Sequence, residues 1–133
     1  MSHPNSAIAI IGMAGRFPGA QSVDHFWQNL LAGKLGIRAV TDEELVAQGV
    51  PASLYQHARY RKFAAAIDGI DLFDAANFGF SSAEAASASP QHRLFLEACW
   101  QAFEDAGYTS ALAESQGAVG VWAGESPSKW SGS

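Results

Sequence analysis

The sequence has 133 residues, 13 Asp+Glu against 8 Lys+Arg, a net charge of −5 and a hydrophobic fraction of 48%. That length makes one modest domain, and the 8 Phe, 4 Trp and 3 Tyr supply large apolar side chains that exclude whole-chain disorder. The acidic balance argues against nucleic acid and an anionic membrane surface, since both select concentrated positive charge.

Residues 1–6 read as a disordered polar leader, and order is predicted from Ala7. Ala7–Ile11 is short, isoleucine-rich and apolar on both faces, and it stops at Gly12, as expected of a strand buried between layers. It is too short to span a bilayer, and no basic region precedes it as in a secretory signal. A glycine-rich turn, Gly12 to Gly19, follows.

From Val23 the apolar positions Phe26, Trp27, Leu30 and Leu31 continue one helical stripe, and Gly33 stands where a left-handed cap belongs. Thr41 and Glu44 have capping-box spacing, which predicts a short helix from Asp42 to Gln48 ending at Gly49. Residues 50–60 show no clear period. A strand is expected within Arg61 to Ile67, and Ile70, Leu72, Phe73, Phe78 and Phe80 form an apolar connection set against a core.

Ser81 and Glu84 give a second capping box and a helix of one or two turns. The strongest helix follows: Ser89 caps it, Pro90 suits its first position, where the N–H needs no partner, and Gly107 closes it. Arg93, Glu97, Gln101 and Asp105 make one polar stripe; the other faces carry Leu94, Phe95, Leu96, Cys99, Trp100 and Phe103, so this helix is expected to be nearly surrounded. Gly117 to Gly124 is a glycine-punctuated apolar strand. Two buried-type strands with helices between them predict an α/β layered domain, in which both strands lack neighbours.

The residues hold no complete catalytic constellation. The turn offers Gly12-x-x-Gly15, then Pro18-Gly19, rather than G-x-G-x-x-G opening a helix, and reads as a structural turn rather than a pyrophosphate cradle. Cys99 cannot form an internal disulfide, which points to a reducing, cytoplasmic compartment. His92 precedes it by seven residues on the same helix, about 10 Å along the axis, too far for a Cys/His pair, so Cys99 reads as a small core residue. His3, His25, His57 and His92 lack metal-ligand spacing. Ser81, Ser82, Ser87 and Ser89 crowd together, but capping accounts for Ser81 and Ser89 and no G-x-S-x-G surrounds any of them. Catalytic, cofactor-binding and metal-binding residues are accordingly read as none.

Two segments carry a resemblance. Ile8-Ala9-Ile10-Ile11-Gly12-Met13-Ala14-Gly15-Arg16-Phe17-Pro18-Gly19-Ala20 with Phe26-Trp27 is the first. The second runs from Leu72-Phe73-Asp74-Ala75 through Phe78-Gly79-Phe80 and Pro90-Gln91-His92-Arg93-Leu94 to Trp100 and Glu104-Asp105-Ala106-Gly107. Together they resemble the N-terminal part of a β-ketoacyl synthase domain of modular polyketide or hybrid peptide–polyketide synthases. Gly15, Ser89 and Gln101 depart from the residues common at those positions, which are Cys, Asp and Glu.

The resemblance implies an α/β, thiolase-like layered fold of which this chain holds the first portion of the N-terminal half. Residues 1–6 would be a leader, 7–124 a partial synthase domain, and 125–133 a polar tail at a truncation point. It further implies a cytoplasmic acyltransferase extending acyl chains by decarboxylative Claisen condensation. The substrates would be borne on the phosphopantetheine of an acyl carrier protein, with no cofactor of the chain's own. The remaining partners would be the rest of the synthase polypeptide and, in the complete domain, a second copy. The nucleophile of such domains lies in a Thr-Ala-Cys-Ser-Ser motif and is followed by two histidines; none of these occurs here, so the 133 residues alone are expected to be inactive. The alternative is a non-catalytic split or decayed piece acting as an interaction module, favoured by unpaired strands and aromatic faces.

Overall fold

In the computed structural model the described residues are 7–109 and 117–124, so the expectations for residues 1–6 and 125–133 lie outside them. The chain divides into two compact units, residues 15–69 and the flanking stretches 1–14 and 70–133.

In the unit formed by residues 15–69, the chain enters through a tight turn. Phe17 N–H donates to Ala20 O at 2.8 Å and Ala20 N–H returns to Phe17 O at 2.9 Å. Pro18 and Gly19 occupy the two central positions, with Gly19 at φ 73°, the arrangement of a type II turn. Helix α1, Val23–Leu31, starts at Ser22, whose hydroxyl accepts from His25 N–H at 3.1 Å. Strand β1, Arg38–Ala39, pairs antiparallel with β2, Phe63–Ala64, so the strand expected within 61–67 is two residues long, and its partner was not anticipated. Between them lie α2, Asp42–Ala47, and α3, Ala52–Tyr55, a single turn after Pro51 where no period was visible.

The second unit contains α4, Ser82–Ser87, and α5, Pro90–Asp105. Both predicted capping boxes form, Thr41 with Glu44 and Ser81 with Glu84. The long helices and α2 all close in the same way. Gly33, Gly49 and Gly107 have positive φ and donate to Leu30, Val46 and Glu104, while the next residues, Lys34, Val50 and Tyr108, donate to Asn29, Leu45 and Phe103. These paired bonds are Schellman motifs, and at α5 the accompanying apolar contact is the edge-on approach of Phe103 and Tyr108, 6.4 Å between centroids.

Two expectations are corrected. Residues 7–11 and 117–124 belong to no strand among the described residues, and Ile8, Ile10 and Trp122 are 95%, 81% and 89% exposed. An apolar strand of this kind is defined by ladder partners on both sides, and the described residues supply none. For the same reason α5 is not surrounded: Phe95, Trp100 and Phe103 remain exposed and none of its residues is buried. The buried hydrophobics among the described residues are Ala20 at 1% and Leu45 at 7%, both in the 15–69 unit.

Candidate functional site

The Arg16-Phe17-Pro18-Gly19-Ala20 segment is held from every side by the 15–69 unit. Phe17 stacks on Phe26 of α1 with centroids 4.2 Å apart and planes 17° from parallel. Asn29 Nδ2, one helical turn beyond Phe26, donates to Gly19 O at 2.9 Å, and Arg16 Nη2 donates to Asp68 O at 2.7 Å, tying the beginning of the unit to its end. The turn thus docks α1 through the Phe17 ring and the Gly19 carbonyl. Gly15 leads into it without a side chain, and a Cβ there would meet the Phe17 ring at 2.8 Å.

In the same unit, charged pairs fasten α2 to the hairpin. Arg38 Nη2 lies 2.8 Å from Glu44 Oε1, Lys62 pairs with Asp42, and Val40 N–H donates to Lys62 O at 2.9 Å. The Lys62 ammonium also sits 5.4 Å from the Tyr55 ring centroid. The hydrogen bond from Arg38, then that from the Thr41 backbone, holds the Glu44 carboxyl below the usual range, and the same pairing raises the Arg38 guanidinium. These groups position elements of the fold.

In the other unit, residues 9–12 run against the C-terminal half of α5. Met13 N–H donates to Asp105 Oδ2 at 2.8 Å. A Cβ on Gly12 would lie 2.3 Å from Ala102 O and 2.8 Å from Ala106 Cβ, so glycine is needed here for close approach. The loop amide that a pyrophosphate would require already serves a carboxylate, whose charge opposes a second anion. The glycine-rich turn is therefore a helix-docking device.

Residues 70–80 rest on α5 through an aromatic cluster. Phe73 and Phe78 stack at 5.2 Å, Phe80 meets Phe73 edge-on at 5.5 Å, and Phe78 meets Trp100 at 6.2 Å. The serine-rich segment is explained locally. Ser81 accepts from Glu84 N–H at 3.3 Å and its own N–H donates to Glu84 Oε2 at 2.8 Å; Ser87 Oγ donates to Glu84 O at 2.9 Å; Ser89 Oγ accepts from His92 N–H at 3.4 Å; Ser82 opens α4. The bond from the Ser81 hydroxyl, then that from its backbone, keeps the Glu84 carboxyl below its usual range.

Cys99 is half-buried on α5 and lines an open apolar cleft of about 720 Å³ with Ile10, Phe103, Val119 and Val121. Among the described residues no Lys, Arg or His lines that cleft, so the cationic or imidazole neighbour that activates a nucleophilic thiol is missing from its walls. His92 lies at the exposed start of the same helix, His25 in the first turn of α1, and His57 accepts at Nδ1 from Arg59 N–H at 3.2 Å; His3 lies outside the described residues. No group of three or more His, Cys, Asp or Glu among the described residues is placed to hold a metal ion. No helix there is long and apolar enough to cross a membrane. Sequence reasoning missed the Arg38–Glu44 and Lys62–Asp42 pairs, whose partners meet only once the hairpin forms.

Comparison with known proteins identifies the family. The family described as "Beta-ketoacyl synthase, N-terminal domain" matches residues 5–133. One of the polypeptides of the phenolphthiocerol/phthiocerol polyketide synthase of Mycobacterium tuberculosis is 47% identical over 128 residues, which cover 96% of this chain and 8% of that protein. Polyketide synthase PksN of Bacillus subtilis is 42% identical over 106 residues, 80% of this chain and 2% of that one. Among solved structures, ketosynthase twelve of the bacillaene polyketide synthase of Bacillus amyloliquefaciens superposes with a TM-score of 0.64 at 40% identity, over 72% of this chain and 17% of that chain. The chain thus spans a small share of the proteins it matches. The chain belongs to the β-ketoacyl synthase family and corresponds to the first portion of the N-terminal half of its thiolase-like layered fold.

Proposed function

We propose that these residues are scaffold in a ketosynthase that extends acyl chains by decarboxylative Claisen condensation, and that the condensing centre lies outside them. The single observation carrying this reading is that the motif residues whose contacts are described above serve packing or capping. Phe17 seats α1, Gly12 and Asp105 seat the first apolar segment on α5, and Pro90 starts that helix. Condensation requires an activated thiolate, oxyanion donors and a proton-handling imidazole converging on one point, and no His, Lys or Arg stands among the described residues that line the cleft with Cys99.

In this reading the acyl and malonyl units arrive on the phosphopantetheine of an acyl carrier protein, the complete domain works as a homodimer in the cytoplasm, and the chain needs no cofactor of its own. Residues 7–124 are its contribution to the domain. The test is the coding sequence that follows Ser133. An in-frame Thr-Ala-Cys-Ser-Ser motif with two later histidines supports the proposal; an open frame continuing for several hundred codons without that cysteine overturns it.

A second reading, an interaction module without condensing activity, draws on the exposure of Ile8, Ile10, Val121 and Trp122. Size-exclusion chromatography and calorimetry of the 133-residue polypeptide separate the two. A monomer with one sharp two-state melt favours the module, and a broad melt or self-association favours a scaffold awaiting its neighbours.

A further inference from the structure

We draw no further inference here: the strongest candidate, the open apolar cleft that Ile10, Cys99, Phe103 and Val121 line beside α5, carries nothing because nothing in the structure shows what covers it.

Discussion

Replacing Gly12 by alanine tests whether the first apolar segment is held on α5 as described. The added Cβ would fall 2.3 Å from Ala102 O, 2.8 Å from Ala106 Cβ and 2.9 Å from Ala106 N. Two of these atoms are helix backbone and the third is bonded to it, so no flexible side chain can swing away and the segment itself must lift. Overpacking of this kind costs about 1–3 kcal/mol. Lifting the segment also weakens the bond from Met13 N–H to Asp105, so amide exchange at Met13 should accelerate about 5- to 150-fold if the whole cost falls on that contact. Gly33→Ala is the control, because Gly33 has φ 64° and no atom within 4 Å of an added Cβ. Its cost is backbone strain alone, about 1–2 kcal/mol, and it should leave Met13 exchange unchanged. Exchange measured by NMR on both variants decides the matter. Unaltered Met13 protection in Gly12→Ala, or equal acceleration in the two variants, would refute the close-approach argument.

Other substitutions probe the remaining joints. Thr41→Ala removes the α2 capping box and should destabilise that helix by about 1 kcal/mol, seen as faster exchange at Glu44 N–H with α5 unaffected. Gly19→Ala forces a Cβ into φ 73° and should cost about 1–2 kcal/mol, read as loosening of the Phe17–Ala20 bonds, whereas Pro18→Ala keeps the turn. Glu44 and Glu84 both titrate below the usual carboxylate range in the folded chain. Their contribution is therefore complete above the unfolded glutamate pKa of about 4.3 and is lost as pH falls through the lower folded values. Protection at the starts of α2 and α4 should stay flat from neutral pH to about 5 and fall below about 4, with Glu84→Gln flattening the α4 profile; loss of protection on raising pH instead would contradict the sign.

Helices were legible because their signals are local. Ser22, Thr41, Ser81 and Ser89 start helices, and Gly33, Gly49 and Gly107 end them, through bonds within five residues. The hairpin was only half visible, since Arg38–Ala39 and Phe63–Ala64 identify one another across 24 residues and carry no alternating pattern of their own. The one-turn helix Ala52–Tyr55 is too short to show a period. Residues 7–11 and 117–124 mark the limit in the other direction. Their composition reads as buried strand, yet a strand needs a ladder, and the described residues offer no partner. For the site, the structural duties of Gly12, Asp105 and Asn29 were not legible because they depend on contacts across up to 92 residues.

In the proposed reading these residues build scaffold and Cys99 is not the acyl acceptor. Intact-mass spectrometry of the 133-residue polypeptide after incubation with an acylated carrier protein tests it directly, with Cys99→Ala as the reference. Neither protein should gain an acyl mass; a stable acyl adduct that forms on the unaltered chain and is absent from Cys99→Ala would show that Cys99 accepts the acyl group.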